Sequence, residues 1–245
     1  MLKLISAEAT HIGFVRNNNE DAFLAIPEAG LFAIADGMGG AAAGEIASRY
    51  FTGTTKEVFG DKISAAEEES SALIEKVFQR AIRRIAEHIA KNPNDEGMGC
   101  TGDILLFSDS HYIIGHMGDS RIYLARDGHL RQLTRDQSLV QGLVDEGILT
   151  AEEARHHPRK NIILQVVGTD SSVAPDILKG EAFNRDIFLL CSDGLTDMVD
   201  DSAIREILIS PKSVDDKAEN LIEAALAGGG KDNVTVVLCE VEIRD

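Results

Sequence analysis

The chain has 245 residues, of which 44% are hydrophobic and 27% are charged, values that are ordinary for a globular protein. Its 41 acidic residues outnumber the 24 Lys and Arg, so the formal net charge is −17. A field of this sign repels nucleic acid and anionic membrane surfaces, and no basic patch in the sequence offsets it, so we expect neither as a partner.

The cysteines indicate the compartment. Cys100, Cys191 and Cys239 are odd in number and lack CxxC spacing, which argues against a disulfide framework or a zinc knuckle and favours a reducing environment. The amino terminus has no signal-peptide core, and no apolar run approaches the roughly 18 residues of a membrane span. We therefore expect a cytoplasmic protein.

Short strands and two helices are predicted in the first half of the chain. The most regular helix is at 66–91, because apolar residues recur there at four-residue steps from Leu73 to Ile89. Turn signals between the last four strands predict a β-meander. In chain order the elements are strands at 2–10, 21–26 and 30–35, helices at 42–58 and 66–91, and strands at 103–107, 112–117, 121–125 and 130–133.

The second half begins with a polar insertion at about 137–170, which we expect to form a flap. It contains two short predicted helices at 137–146 and 150–156, the second opened by a Thr150-x-x-Glu153 capping box. The elements that follow are strands at 173–178 and 187–191, helices at 202–208 and 214–227, and a buried strand at 234–241. Ser213 is the predicted N-cap of the helix at 214–227. No Pro-, Gly- or Ser-rich linker divides the chain. We predict one domain over 1–245, of the α+β class, with helices outside packed sheets.

Acidic residues stand at the ends of four predicted strands that are far apart in sequence: Asp36, Asp193, Asp232, and the pair Glu20 and Asp21. A single Asp-Gly pair is most simply interpreted as a turn, in which the Asp bonds local backbone and the Gly takes a positive φ. Carboxylates held at the edges of rigid apolar strands, however, are costly to bury unless hydrogen bonds or a cation compensate. Such oxygen ligands suit Mg²⁺ or Mn²⁺, and the scarcity of paired His argues against zinc.

A centre of this kind indicates phosphoester hydrolysis. Two metal ions roughly 3.5–4 Å apart can hold a hydroxide at neutral pH and clamp an in-line displacement at phosphorus. The reaction also needs a fixed cation for the non-bridging phosphate oxygens. Arg16 is a candidate because guanidinium binds phosphate through paired hydrogen bonds. Taken alone, Arg16 would be interpreted as a surface residue after a strand.

Five short motifs together resemble one known family. They are, in order, Arg16-x-x-Asn19-Glu20-Asp21, Asp36-Gly37-Met38-Gly39-Gly40, Gly118-Asp119-Ser120-Arg121, Ser192-Asp193-Gly194 and Gly229-Gly230-Lys231-Asp232-Asn233. Their order is similar to that in the metal-dependent protein phosphatases, the type 2C serine/threonine phosphatases, and especially in the bacterial members. The likeness extends from about residue 9 to residue 241. It implies a central β-sandwich of two mainly antiparallel sheets flanked by helix pairs.

The resemblance also implies an activity and roles for individual residues. The activity is hydrolysis of phosphoserine and phosphothreonine by a hydroxide that bridges two Mn²⁺ or Mg²⁺ ions, with a possible third ion. The implied roles are Asp36 bridging both ions, the Gly37 carbonyl binding one, Asp193 and Asp232 on the first ion, Asp21 on the second, Glu20 acting through water, Asp119 with Asp193 at a weaker third site, and Arg16 on the substrate phosphate. The implied partners are phosphoproteins modified by an opposing kinase, and we expect a monomer.

Several positions depart from the family pattern. Met38 and Ala41 stand where many relatives carry a His, so the resemblance identifies no histidine as general acid, and a metal-bound water could serve instead. His116 matches a His that is common in the family, although its simpler interpretation is a hydrogen-bonded core residue. Gln137 stands where a His is frequent. None of these departures removes an implied metal ligand.

Two alternative functions stay open at this point. A catalytically silent member of the fold, working as a regulatory module, would be expected to lack a metal ligand, and every matching acid is present. A hydrolase of small phosphoesters or nucleotides would use the same ligands. The sequence therefore separates the second alternative poorly from a protein phosphatase.

Overall fold

The computed structural model describes residues 2–39, 43–60, 67–168 and 173–243, and for residues 67 and 68 it describes the backbone alone. The strands are β1 (Leu2–His11), β2 (Ala22–Ile26), β3 (Leu31–Ala35), β4 (Gly37–Met38), β5 (Gly99–Cys100), β6 (Gly102–Ser108), β7 (His111–Met117), β8 (Arg121–Arg126), β9 (His129–Gln132), β10 (Asp176–Glu181), β11 (Ile187–Cys191) and β12 (Val234–Ile243). The helices are α1 (Gly44–Phe59), α2 (Glu67–Lys91), α3 (Leu139–Asp145), α4 (Ala151–Arg155), α5 (Asp193–Thr196), α6 (Asp201–Ile209) and α7 (Val214–Ala227).

Two antiparallel sheets of five strands form the centre of the molecule. The first has the order β1-β12-β11-β8-β9, the second has the order β10-β7-β6-β3-β2, and β4 pairs with β5 in a small separate ladder. Every strand pair is antiparallel. The prediction of an α+β fold built on antiparallel sheets is confirmed.

Side-chain alternation along the strands creates three hydrophobic layers. All five residues of β3 are buried, but Leu31, Ala33 and Ala35 belong to one cluster while Phe32 and Ile34 belong to another. Successive side chains of a strand point to opposite faces, so β3 contributes to the layer between the sheets and to the layer beneath the helices. A strand that is buried on both faces has apolar residues at successive positions, so the sequence of β3 shows no alternation of apolar and polar residues.

Helix pairs cover the outer faces of both sheets. Phe51 of α1 and Phe78 of α2 pack with ring centroids 5.0 Å apart in the cluster beneath the second sheet. Ile204 of α6 and Leu221 of α7 belong to the corresponding cluster beneath the first sheet. The predicted cap of α7 is confirmed, since the Ser213 side chain accepts from the Asp216 amide at 3.1 Å. No helix in the described ranges is long and apolar enough to cross a membrane.

The predicted β-meander is wrong at Gly118-Asp119. β6 and β7 form a hairpin and β8 and β9 form another, but β7 lies in the second sheet and β8 in the first. Gly118 takes a φ of +119°, and a Cβ there would lie 2.6 Å from Cγ2 of Thr101, so the chain crosses between the sheets in close contact with β6. A turn signal indicates that the chain bends, but it does not say which sheet the next strand joins.

Two further features differ from the predictions. β10 begins at Asp176 rather than 173, because Pro175 has no amide hydrogen to donate to a strand ladder. Asp193-Gly194 begins the short helix α5 instead of forming a simple turn. The predicted starts of the first two helices, at 42 and 66, lie outside the described residues.

The insertion after β9 forms a loop that is closed at its neck. The Leu139 amide donates to the Ile162 carbonyl at 2.9 Å, and the Leu164 amide donates to the Gln137 carbonyl at 2.7 Å. The Gln137 side chain accepts from the Gly118 amide and donates to Asp176, both at 2.9 Å. Gln137 therefore ties the start of the insertion to the crossing at Gly118 and to β10.

A buried pair of His116 and Asp103 supports the same neck. The fully buried His116 contacts Asp103 Oδ1 through Nδ1 at 2.7 Å and the Arg135 carbonyl through Nε2 at 2.9 Å. Burial lowers the pKa of His116, but the Asp103 carboxylate and the Arg135 carbonyl outweigh it, so the pKa is raised. Asp103 Oδ2 is buried without a hydrogen-bond partner. The interpretation of His116 as a hydrogen-bonded core residue is confirmed.

Removing His116 should therefore destabilise the fold strongly. We expect His116→Ala to lower the free energy of unfolding by about 3–5 kcal/mol, since it leaves Asp103 buried without its partner. The double variant His116→Ala with Asp103→Asn should recover part of that loss. Denaturant unfolding of the two variants and the wild type measures both values. A loss below about 1 kcal/mol for His116→Ala would mean that the pair is not charged in the fold.

Candidate metal centre

The acidic strand ends predicted from the sequence meet at one end of the sandwich. In an antiparallel pair, the end of one strand lies beside the start of the other. β2 and β3 pair along their whole length, so Asp21, just before β2, and Asp36, just after β3, are neighbours. β11 pairs with residues 236–240 of β12 in the other sheet, and this register brings Asp193, after β11, to the same end of the sheet as Asp232, before β12.

The backbone of Asp36 is fixed from both sides by Thr101. The Asp36 amide donates to Thr101 Oγ1 and the Thr101 amide donates to the Asp36 carbonyl, both at 2.8 Å. Thr101 Oγ1 also lies 2.8 Å from Oγ of Ser120, the residue after Asp119. This chain of hydrogen bonds links the strand ends that carry Asp36 and Asp119.

Close backbone packing requires glycine at three points around the carboxylates. A Cβ on Gly37 would lie 2.6 Å from the Glu20 carbonyl oxygen, and a Cβ on Gly44 would lie 2.8 Å from Oε2 of Glu20. A Cβ on Gly194 would overlap the Asn233 carbonyl oxygen. The first two contacts draw the Glu20 segment against the start of α1, and the third draws the Asp193 turn against the start of β12.

Asn233 joins the loop after β1 to the start of β12. Its side-chain amide donates to the carbonyls of Ile12 at 2.9 Å and Asn18 at 2.8 Å. Its side-chain oxygen accepts from the Glu20 amide at 2.8 Å. A single buried side chain therefore sets the path of the loop that carries Arg16 and Glu20 relative to Asp232.

The carboxylates of the first strand pair have raised pKa values. Burial raises the pKa of Asp21 to about 7, although hydrogen bonds from Thr235 and Ser192 oppose the rise. The contact from Ser192 Oγ to Asp21 Oδ2 measures 2.8 Å. Burial and then repulsion from Asp21 and Asp193 raise the pKa of Asp36. Neighbouring negative charges thus add to the cost of removing these groups from water.

The carboxylates of the other segments behave in the same way. Burial, with repulsion from Asp197 and Asp232, raises the pKa of Asp193 to about 6. Burial and then repulsion from Asp193 and Asp136 raise the pKa of Asp119. Burial likewise raises the pKa of Glu20, against the attraction of Arg16.

These groups fit a divalent cation. Asp21 Oδ1 and Asp193 Oδ1 are buried without any hydrogen-bond partner, and such atoms are costly unless a donor or a cation meets them. Clustered carboxylate oxygens are the ligands that Mn²⁺ and Mg²⁺ prefer. Across the described part of the chain, no three acidic, imidazole or thiol groups are arranged as a preformed metal cage. The residues therefore match a divalent cation in the type of their ligand atoms, not in a preformed arrangement of those atoms.

A cleft of about 550 Å³ opens above the carboxylates. The predicted site residues that line it are Arg16, Glu20, Asp36, Gly37, Asp119, Asp193 and Asp232. Asp21 is not among the lining residues and lies behind them, held by Ser192. Asn161 and Ile162 of the insertion form part of the wall, so the predicted flap touches the site.

No histidine is among the residues that line this cleft in the described ranges. Met38 lies in its wall, and Ala41 lies outside the described residues. His116 is fully buried in the sheet. The described part of the structure therefore offers no histidine at this cleft as a general acid, as the departures at Met38 and Ala41 had indicated.

Arg16 forms an ion pair with one of the predicted metal ligands. Its Nη2 donates to Asp232 Oδ2 at 2.6 Å, and the hydrogen bond raises the pKa of the guanidinium. The two side chains are 53% and 34% exposed, so the pair is a surface interaction worth about 0–1 kcal/mol. If Asp232 binds a cation, Arg16 and the cation compete for the same oxygen.

The competition predicts the effect of Arg16 on metal binding. We expect Arg16→Ala to bind Mn²⁺ slightly more tightly than wild type, by a factor of about two to five, which corresponds to the value of an exposed ion pair. Arg80→Ala, at an exposed position of α2, is the matched control. Calorimetric titration of Mn²⁺ measures the difference. A large loss of Mn²⁺ binding in Arg16→Ala would instead make Arg16 a structural support of the site.

Sequence reasoning did not assign roles to three residues of this site: Thr101, Ser192 and Asn233. Ser192 and Asn233 stand inside quoted motifs, so their position was a signal. The partners of their side chains lie up to 221 residues away in sequence. Only the fold shows which backbone groups they reach.

Comparison with known proteins agrees with this geometry. The family model described as "Protein phosphatase 2C" matches residues 15–225. The serine/threonine protein phosphatase PstP of Mycobacterium tuberculosis is 44% identical over 229 residues, which is 94% of this chain and 43% of the relative. The chain therefore spans less than half the length of that relative. The serine/threonine phosphatase stp of Listeria monocytogenes is 35% identical over 96% of this chain and 94% of its own length.

Solved structures show the same fold. The crystal structure of the catalytic domain of PstP in complex with two manganese ions superimposes with a TM-score of 0.90 at 40% identity. The alignment covers 99% of this chain and 100% of that one. The family model, the relatives and the fold lead to one conclusion: the chain belongs to the protein phosphatase 2C family.

Proposed function

We propose that this chain is a metal-dependent serine/threonine protein phosphatase, formed by a single domain over 1–245 with a flap at about 137–170. The observation that supports it most directly is the cleft in which Asp36, Asp193 and Asp232 gather beside Arg16. Asp21 Oδ1, behind this cleft, and Asp193 Oδ1 are buried without a hydrogen-bond partner. In a catalytically silent module that binds no metal, these buried oxygens would destabilise the fold without any compensating cation.

The proposed cofactor is a pair of Mn²⁺ or Mg²⁺ ions, with a possible third. The catalytic domain of PstP, which is 40% identical to this chain, binds two manganese ions in its crystal structure. The proposed ligands are Asp36 between both ions, the Gly37 carbonyl, Asp193 and Asp232 on the first ion, Asp21 on the second, Glu20 through water, and Asp119 at the third site. Ions of this kind lower the pKa of water, so that hydroxide can attack phosphorus at neutral pH.

The residues of the chain itself orient the substrate. Arg16 would hold the non-bridging oxygens of the phosphoryl group, because its planar fork donates two parallel hydrogen bonds. Its reach is set by Asn233, which holds the loop at the Ile12 and Asn18 carbonyls. The wall formed by Asn161 and Ile162 would shield the cleft from water on the side of the flap.

We further propose phosphoproteins as substrates, an opposing serine/threonine kinase, a monomeric state and a cytoplasmic location. Related proteins of similar length carry the description of serine/threonine phosphatase, which supports the substrate class. The three cysteines are free and buried, which is compatible with a reducing compartment.

Asp36→Asn tests both the activity and the role of Asp36. Wild type should release phosphate from a phosphothreonine peptide with Mn²⁺ and stop in excess chelator. We expect the variant to lose about two orders of magnitude in turnover or more, as when a group that stabilises transition-state charge is removed. Wild type should also gain about 2.7 kcal/mol of stability at Mn²⁺ 100-fold above its Kd, and the variant much less.

The two readouts of this experiment separate the rival interpretations. A wild type with neither turnover nor a Mn²⁺-dependent shift in Tm supports a silent module and would falsify the proposed activity. A variant equal to an active wild type in both readouts means that Asp36 is only the Asp of a turn, where Asn serves nearly as well. Hydrolysis of small phosphoesters without any phosphopeptide turnover would favour a small-molecule hydrolase.

Asp119→Ala tests the proposed third site. The variant should bind the two core ions like wild type, but hydrolyse a phosphopeptide roughly 10–100-fold more slowly, the loss typical for groups that act at the periphery of a metal centre. Glu223→Ala, at an exposed position of α7, is the control for loss of one negative charge. Wild-type turnover of Asp119→Ala at saturating Mn²⁺ rules out a catalytic role for this residue.

A further inference from the structure

A second cleft, of about 410 Å³, lies next to the metal centre. Four segments form its walls: the loop after β1, the end of α4 with the residues that follow it, α5, and the loop before β12. It shares Arg16, Asn161 and Asp232 with the cleft above the carboxylates. The two clefts therefore meet at the Arg16–Asp232 ion pair, and a single bound chain can occupy both.

The charge of this second cleft is opposite to that of the whole protein. Four of its lining residues are cations, Arg16, Arg155, Lys160 and Lys231, and we refer to it as the basic cleft. Two carboxylates, Asp197 and Asp232, also line it. The chain as a whole has a net charge of −17, so this local excess of positive charge is a marked exception.

Two of the four cations are already neutralised and two are not. Arg16 pairs with Asp232, and Lys160 pairs with Asp197. Arg155 Nη2 donates to the backbone carbonyl of Thr196 at 3.0 Å. Within the described residues, neither Arg155 nor Lys231 has a carboxylate within ion-pair distance.

The backbone conformation of the loop before β12 determines where Lys231 lies. Lys231 follows three glycines, of which Gly229 and Gly230 have φ values of +130° and +51°. A Cβ on Gly228 would lie 2.7 Å from the Met198 carbonyl oxygen, so this run packs directly against the residues after α5. The loop therefore holds the backbone of Lys231 at the basic cleft, which Arg155 of the insertion also lines.

We propose that the basic cleft binds a second phosphoryl group of the same substrate chain, so that the enzyme favours segments with two phosphorylated residues close together. The inference rests on the proposed phosphatase activity. A phosphoryl dianion suits the site because an Arg fork and a Lys ammonium both donate charged hydrogen bonds to its oxygens. A Glu or Asp side chain has less charge and fewer acceptor oxygens, so it should bind more weakly.

A peptide series tests the proposal. Each peptide carries one phosphothreonine and, one to three residues away on either side, a non-hydrolysable phosphonate analogue of phosphoserine, a Glu or an Ala. Phosphate release then reports hydrolysis at the phosphothreonine only. At the best spacing we expect the phosphonate peptide to exceed the Ala peptide about tenfold in kcat/KM, mainly through KM, as for one or two charged hydrogen bonds. The advantage should shrink as salt rises.

The ratio between the two peptides is then compared across variants. Lys231→Gln combined with Arg155→Gln should bring the phosphonate-to-Ala ratio close to one. Lys76→Gln, an exposed lysine of α2 that lines none of the clefts around the metal centre, should keep the wild-type ratio. Because each variant is compared with itself, a general loss of activity does not change the ratio.

The outcomes distinguish this inference from the proposed activity. If no peptide is hydrolysed, the phosphatase proposal fails first. Hydrolysis of the Ala peptide with a ratio near one at every spacing overturns the second phosphate site and leaves the activity standing. A ratio that survives the double substitution also overturns it. Equal gains from Glu and phosphonate would show that the cleft binds any anion and has no preference for phosphate.

Discussion

The cost of removing carboxylates from water is the constraint on which the rest of this structure depends. An ionised carboxylate in a protein interior costs several kcal/mol after relaxation, and a whole domain is stable by only about 5–15 kcal/mol. Asp21, Asp36, Asp119 and Asp193 repel one another at one end of the sandwich. All four cannot stay charged without compensation. The pKa values of about 7 and 6 for Asp21 and Asp193 show that protons begin to compensate near neutrality.

The fold places these carboxylates on rigid parts of the backbone. β3 and β11, which precede Asp36 and Asp193, are buried along their whole length, so these strand ends cannot move apart to relieve repulsion. Glycine at 37 and 194 lets neighbouring segments approach more closely than any side chain would allow. Thr101 and Asn233 then satisfy backbone groups that this close approach would otherwise leave unpaired. Among the described residues, the buried side-chain atoms without a hydrogen-bond partner are one carboxylate oxygen each on Asp21, Asp193 and Asp103.

Much of the fold and of the site was predictable because local patterns and global packing agree in this chain. The cap at Ser213 and the capping box at Thr150 were both predicted and both form. The sheet crossing at Gly118 was not predictable, because the same turn residues serve a hairpin and a crossing. The acids of the site were found from strand ends and from the family motifs. Their supports were not, because the side chain of Asn233 reaches partners more than 200 residues away.

The net charge and the local charges of the protein act over different ranges. Salt screens exposed charges over about 8 Å under physiological conditions, so the charge of −17 governs encounter with an anionic substrate but not its final position. Position depends on the few cations at the cleft, and Arg16 is already bonded to Asp232.

Arg16 is available to a phosphate only to the extent that Asp232 has another partner, and a divalent cation at Asp232 would be that partner. Binding of the cation and binding of the phosphate are then coupled through one carboxylate. Such coupling is reciprocal: a phosphate that holds Arg16 away from Asp232 must favour the cation by the same free energy. On the proposed assignment, the ion pair that would weaken metal binding in isolation would also be the contact through which substrate and metal stabilise each other.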